Sequence, residues 1–270
     1  MSISDSSAFP SGSGNGYELQ MGRWSRRLAP QFVQFAGLPG AARVLDVGCG
    51  TGSLSFFLGN DLTMHSVHGI DLTPDFIAYA KRKNDDNRLT FQVGDACSLP
   101  FPDATFDHAL SMLVLQFVPR PDVAIGEMRR VTRPGGIVAA ATWDSRGGLV
   151  AQRIILDTAA VLDPKANEFR ARSCTRAMSR PGDLGRAWRD AGLADVVEGM
   201  LTIRMEFASF ADFWTPAEGC DGPIAEYVSS LEPEVRATLR DNVRLAYLDG
   251  EIDGARSYAA IAWVVKARAP

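Results

Sequence analysis

Three aspartates, Asp46, Asp71 and Asp95, each stand at the end of an apolar run, and Gly48, Gly50 and Gly52 follow the first. Glycines crowd a turn where the backbone must take positive φ or come close to a ligand. A buried strand, a glycine loop and a helix N-terminus together present free N–H groups to a polar or anionic ligand. Asp71 lies about 20 residues past the loop, where an α/β nucleotide fold places the carboxylate that accepts ribose hydroxyls. These residue types predict a cleft for a nucleotide-like molecule.

The spacing narrows its kind. The dinucleotide fingerprint is G-x-G-x-x-G, with a third glycine where the helix packs on the strand. Here Ser53 holds that place, and Asp46 precedes the first glycine by two residues.

The elements that must hold these residues read as alternating strands and helices. The apolar run Val44, Leu45 and Val47 reads as a short buried strand, and the helix after the glycine loop stops near Gly59-Asn60. A second strand, Met64–Ile70, ends at Asp71, and Thr73-Pro74 opens a helix whose apolar face is Phe76, Ile77 and Ala80. A third strand, Leu89–Val93, ends at Gly94-Asp95-Ala96. The fourth, His108–Val114, runs into Leu115-Gln116-Phe117-Val118. A helix over Asp122–Thr132 follows, broken by Arg133-Pro134-Gly135-Gly136, and a fifth strand, Ile137–Thr142, ends at Trp143-Asp144. Such alternation predicts an α/β fold with helices on both faces of a mostly parallel sheet. The polar punctuation falls at the strands' C-terminal ends, the ligand-binding edge of such sheets.

Jointly, VLDVGCGTG (44–52), GIDLTPDFIAYAK (69–81), GDACSLPFPDATFD (94–107) and EMRRVTRPGG (127–136) resemble the core of class I S-adenosylmethionine-dependent methyltransferases. The likeness is to the type found in ubiquinone and menaquinone biosynthesis (methyltransferase type 11) and its small-molecule relatives. It implies a Rossmann-like seven-stranded sheet with an antiparallel last strand, and S-adenosylmethionine as cofactor. By that resemblance Asp46 and the backbone of Gly48 and Gly50 hold the methionine portion of the cofactor, and Cys49, between them, belongs to the cofactor-binding set with its side chain packed. Asp71 takes the ribose hydroxyls, Leu72 lies against adenine, and Asp95 and Ala96 bind its polar edge. Ser111 or Met112 offers a carbonyl to the methionine ammonium. Tyr17, Met21 and Arg23 resemble a lid segment that closes over the cofactor, with Arg23 pairing with its carboxylate. Gln116 belongs to the same set, but departs from the histidine often found there in quinone methyltransferases.

One domain is expected over residues 17–270, with a lid helix at 17–40 and helical cap or insert regions at 146–180 and 208–250. Residues 1–16, rich in Ser and Gly, read as a disordered tail. A sixth strand is predicted over Val196–Phe207 and a last one over Tyr258–Lys266. Cys49, Cys97, Cys174 and Cys220 show no paired spacing and read as reduced thiols of a cytoplasmic protein. His65, His68 and His108 make no metal site, and no metal is expected.

The net charge is −4 with no basic block, which argues against nucleic acid. No apolar run is long enough to span a bilayer. The expected partner is a small-molecule methyl acceptor, and the chain is expected as a monomer or homodimer. No residue commits itself as a catalytic base: Asp144 and Glu218 are available carboxylates, and Trp143, Phe213, Trp214 and Tyr227 are candidate pocket aromatics. Two other readings are a nicotinamide-dependent oxidoreductase and a non-catalytic S-adenosylmethionine-binding module.

Overall fold

The computed structural model describes residues 14–61, 63–219 and 222–270. Residues 1–13 of the expected tail, and Cys220, lie outside the described residues.

The chain opens with a helical turn, α1 (Gly14–Tyr17), and a π-helical turn, Glu18–Gly22, that runs directly into α2 (Arg23–Ala36). Then come β1 (Arg43–Val47), α3 (Ser53–Gly59), β2 (Ser66–Asp71), α4 (Pro74–Lys83), β3 (Leu89–Val93) and β4 (Phe106–Met112). A 3-10 turn, Leu115–Phe117, leads to α5 (Pro121–Val131) and β5 (Thr132–Trp143). The remainder is α6 (Val150–Leu162), α7 (Pro164–Cys174), α8 (Asp183–Asp190), β6 (Ala194–Phe207), α9 (Phe210–Gly219), α10 (Pro223–Ser230), α11 (Pro233–Leu248) and β7 (Arg256–Arg268).

The seven strands make one sheet in the order β3-β2-β1-β4-β5-β7-β6. β1 to β5 pair in parallel, and β7 runs antiparallel between β5 and β6. The expected mostly parallel sheet with an antiparallel last strand is what forms. Strand order reverses at β1, so the crevice beyond the C-terminal ends of β1 and β4 opens there, as in other doubly wound sheets.

Successive strand residues point to opposite faces, and two cores result. Val44, Leu110, Ala139 and Val264 pack under α2, α3, α6 and the insert helices α9 and α11. Leu45, Ala109, Val138 and Val265 pack against α5 and α8, where Trp188 is fully buried and its indole N–H donates to the Val138 carbonyl at 3.0 Å. The same alternation puts Asp46 on the α3 side.

The start of β5 differs from expectation. Arg133–Gly136 does more than break α5, because β5 already begins at Thr132. Gly135 and Ala269 explain this: the Gly135 amide donates to the Ala269 carbonyl, and the Ala269 amide to that of Gly136, so β7 recruits the segment. The basic stretch after Leu162 is a regular helix, α7, capped by the Asp163 carboxylate, which accepts from the Lys165 amide. At the opposite sheet edge from the crevice, Asp107 accepts from the Arg43 amide at 2.6 Å and lies 3.2 Å from the Arg133 guanidinium, tying β1 and β4 to the start of β5.

Candidate functional site

The crevice is lined by Tyr17 and Met21 from the N-terminal turns, Gly48 and Gly50, Ile70 to Thr73, Phe76, Gly94 to Ala96, Leu113, Val114, Phe117, Val118 and Trp143. Every β-strand end from β1 to β5 contributes.

The loop after β1 has its shape because of its glycines. Gly48 has φ of +73°, and a Cβ there would stand 2.4 Å from Val114 side-chain carbons. The Gly48 and Cys49 amides both donate to the Ile70 carbonyl, at 2.7 and 3.0 Å, fastening the loop to β2. The Gly50 amide donates to Asp71 Oδ2 and the Thr73 amide to Asp71 Oδ1, each at 2.9 Å. Both carboxylate oxygens are thus aimed by backbone and still have lone pairs for incoming hydroxyls. Burial pushes the Asp71 pKa up, against the pull of the two amides. Asp95 Oδ1 accepts from the Cys97 amide at 2.8 Å, which orients it on the same rim. Leu113, which follows β4, has φ of +67°. A non-glycine residue held there stores local strain, a feature that clusters at binding sites.

Of the residues singled out by sequence, Tyr17, Met21, Gly48, Gly50, Asp71, Leu72, Asp95 and Ala96 meet around this crevice. The other cofactor candidates do not line it. Asp46 is 1% exposed and sits a layer below the loop, where its Oδ2 accepts from the Ser55 hydroxyl at 2.6 Å. Burial pushes its pKa up to about 7, opposed by the Ser55 bond and reinforced by Asp71. Cys49 is buried with its thiol towards Gly69 and Phe91, and burial raises its pKa well above the usual thiol range. Met112 belongs to the core under α2 and α3. Ser111 is fully buried in β4. Arg23 turns away altogether: Nη1 pairs with Asp212 Oδ1 at 2.8 Å, and the guanidinium lies 4.3 Å from the Trp24 ring centre and 4.9 Å from that of Phe207. It joins the N-terminal helix to α9 and does not reach the cleft. Gln116 faces a neighbouring cavity, described below.

The candidate bases lie elsewhere. Asp144 caps its own turn, accepting from the Arg146 and Gly147 amides at 3.1 and 3.0 Å. Glu218 is half-exposed, 4.0 Å from Arg240. Phe213 and Trp214 pack inside the insert with Phe210 and Tyr247. Tyr227 stacks on Phe169 and its hydroxyl donates to Asp163 at 3.2 Å. Trp143 does line the crevice, and its buried indole nitrogen has no hydrogen-bond partner among the described residues. His108 Nδ1 accepts from the Ile137 amide at 3.0 Å where the β4–β5 register shifts, a structural role. Among the described residues no group of three or more His, Cys, Asp or Glu could hold a metal.

Glu18 belongs to no motif, yet it acts on the site. It accepts from the Thr51 hydroxyl in the glycine loop and pairs with Arg26 on α2, so it latches the N-terminal turns over the crevice. Tyr17 rides with it, its ring 5.0 Å from that of Phe76, and burial pushes its pKa up to about 12. The one signal in the sequence is the neighbouring Gly22, where a Cβ would meet the Glu18 carboxyl at 2.6 Å.

This fold, a doubly wound sheet with an antiparallel β7, a glycine loop after β1 and acidic ends on β2 and β3, is similar to that of solved methyltransferases. Residues 45–140 match the methyltransferase domain family. The chain is 38% identical over 117 residues to the fatty-acid O-methyltransferase of Mycolicibacterium smegmatis, a match spanning 43% of this chain and 42% of that protein. The chain therefore matches less than half the length of this curated relative. Among solved structures, phosphoethanolamine N-methyltransferase 2 of Haemonchus contortus, in complex with phosphomonomethylethanolamine and S-adenosylhomocysteine, superposes with a TM-score of 0.59 at 17% identity, over 95% of this chain and 57% of that one. The [4+2]-cyclase SpnF superposes with a TM-score of 0.54 at 22% identity, over 97% of this chain and 86% of that one. These structural likenesses are of fold, and a fold hosts more than one chemistry.

Proposed function

We propose that this protein is an S-adenosylmethionine-dependent methyltransferase acting on a small-molecule acceptor. The observation that carries the reading is Asp71, aimed by the Gly50 and Thr73 amides into a crevice that Asp95 and Ala96 also line. A nucleoside fits these groups. Asp71 would accept both ribose hydroxyls, Leu72 and Phe76 would flank the adenine, and Asp95 with the Ala96 amide would bind its polar edge. Gly48 and Gly50 let the backbone approach the methionine end, where any side chain would intrude.

When bound, S-adenosylmethionine supplies an activated methyl on a sulfonium, an excellent leaving group. The chain's own task is then to align the acceptor and exclude water. The Glu18 latch and the rings of Tyr17, Phe76, Phe117 and Trp143 suit that task. The fatty-acid O-methyltransferase and the phosphoethanolamine N-methyltransferase are both named for small acceptors, which supports a small acceptor here.

No helix among the described residues is long and apolar enough to cross a membrane. The unpaired Cys49, Cys97 and Cys174 support a reducing compartment such as the cytoplasm. The crevice is complete within one chain, which supports a site that functions in a monomer or in each half of a homodimer.

Calorimetric titration with S-adenosylhomocysteine tests the cofactor assignment, with NAD as the competing ligand. Saturable binding of the former alone is expected. Binding of NAD alone would overturn the reading in favour of an oxidoreductase. Turnover of methyl-labelled cofactor against a metabolite panel then separates an enzyme from a non-catalytic binding module.

A further inference from the structure

Beside the crevice lies a narrow throat of about 60 Å³, which shares Met21, Phe117 and Trp143 with it. The throat in turn shares Gln116, Ser173, Arg176 and Pro223 with an outer groove of about 1270 Å³ between α7 and α10. The three spaces adjoin in series through these shared walls, from the outer groove to the crevice. A slim group fits the throat, and a bulkier body fits the groove.

The charge along this series is one-sided at its narrowest part. Among the described residues the throat is lined by Arg153 and Arg176 and by no carboxylate. Arg153 is already bound by Asp157 at 2.8 Å. Arg176 has no carboxylate within 4.0 Å among the described residues, and its guanidinium lies over the Phe117 ring, 4.5 Å from the centre. Burial lowers its pKa, with no anion to offset the loss of water. A desolvated guanidinium without a counter-charge is costly, and a planar carboxylate is its matched partner. The Trp143 ring stands on the wall shared with the crevice. Leu149, Leu156 and Ile224 supply an apolar lining.

A second observation bears on the reacting atom. Neither crevice nor throat is lined by histidine, lysine or cysteine among the described residues, and Tyr17 stays protonated well above neutral pH. Asp71 and Asp95 are held by backbone amides on the nucleoside side. An alcohol or ammonium acceptor would need a base, whereas a carboxylate is already an anionic nucleophile.

We infer that the acceptor is a carboxylic acid with an apolar body, held at its carboxylate by Arg176 and methylated on a carboxylate oxygen. The inference rests on the methyltransferase reading above. An oxygen lone pair forms the new O–CH3 bond while the methyl–sulfur bond breaks, its electron pair passing to sulfur. The products are a methyl ester and S-adenosylhomocysteine, and no proton is transferred.

The experiment compares octanoate and 2-naphthoate with octanol and 2-naphthol, using the full chain with S-adenosylmethionine and mass-spectrometric detection of methylated product. Methyl ester from at least one acid, with no ether from either alcohol, is expected. R176M should lower kcat/KM for that acid at least 100-fold, R176K should recover part of it, and S-adenosylhomocysteine binding by calorimetry should be unchanged in both. Ether formation in preference to ester would overturn the inference, as would R176M turning over the acid at the wild-type rate. If wild-type protein binds S-adenosylhomocysteine yet neither binds nor methylates either acid, the inference fails while the methyltransferase reading stands. Absence of S-adenosylhomocysteine binding would overturn both.

Discussion

Asp71 and Gly50 are joined by a 2.9 Å hydrogen bond from the amide of the glycine loop to the carboxylate that closes β2. The bond makes the loop and the end of β2 one unit, because moving either moves the other. Asp71→Ala removes the carboxylate that would accept the ribose hydroxyls and frees the Gly50 and Thr73 amides. Hydrogen bonds to a charged group are worth about 1.5–3 kcal/mol each. Affinity for S-adenosylhomocysteine should therefore fall by at least about tenfold, since about 1.4 kcal/mol is a factor of ten. Calorimetry on the variant checks this, and wild-type affinity would remove Asp71 from the site.

Glu18 offers a separate handle on access. It bridges Thr51 of the loop and Arg26 of α2, away from the crevice floor. Glu18→Ala should loosen the N-terminal turns while leaving the sheet intact. The expected signature is faster dissociation of S-adenosylhomocysteine in stopped-flow tryptophan fluorescence, with the thermal midpoint of the ligand-free protein changed little. An unchanged dissociation rate would show that the turns do not gate the crevice.

Some of this is legible from residue order, and the reasons are specific. Asp46, Asp71 and Asp95 can be placed at strand ends because parallel strands with short connections bring all their C-terminal ends to one edge. Periodicity cannot say which of them reaches the ligand. Asp46 lies below the loop because its parity in β1 points it at Ser55, a fact that needs α3 to be in position. Arg23 reads as a cofactor residue from sequence because its true partner, Asp212, is 189 residues away and belongs to an insert with no fixed place in the pattern. Arg176 is silent in sequence because it follows α7 in a stretch without a motif, and its meaning comes from Phe117 beneath it.

Asp46 predicts a pH dependence. Its folded-state pKa, raised by burial to about 7, exceeds the unfolded value of 3.8. Its contribution to stability is therefore fully present below about pH 4 and is lost as pH rises through about 7, at about 1.4 kcal/mol per unit of displacement. Asp71, also raised by burial, adds to the same slope. Asp46→Asn keeps an acceptor for Ser55 and removes the titration. Urea unfolding of the ligand-free protein between pH 5 and pH 8 should show the wild type losing stability relative to the variant as pH rises. Parallel curves for the two proteins would mean that Asp46 is ionised throughout and that the burial argument fails.

Gly48 and Val114 give the last test, because two causes of damage can be separated there. Gly48→Ala meets a positive φ of +73° and a contact of 2.4 Å with the Val114 side chain. The conformational part should cost roughly 1–2 kcal/mol for an alanine, and the contact adds to it. Val114→Ala removes the two methyl contacts at 2.4 Å, leaves the Val114 Cβ at 2.8 Å, and does not change the conformation. In a double-mutant cycle by urea unfolding, the pair should therefore be more stable than the sum of the single changes predicts, with a coupling of about 0.5–3 kcal/mol. The double variant should remain less stable than Val114→Ala alone, since the backbone strain persists. Because the Gly48 amide fastens the loop to the Ile70 carbonyl, both proteins with the Gly48→Ala change should also bind S-adenosylhomocysteine more weakly than their counterparts that keep Gly48. Strict additivity would place Val114 away from Gly48, and an undamaged Gly48→Ala variant would show that the loop does not need its left-handed turn.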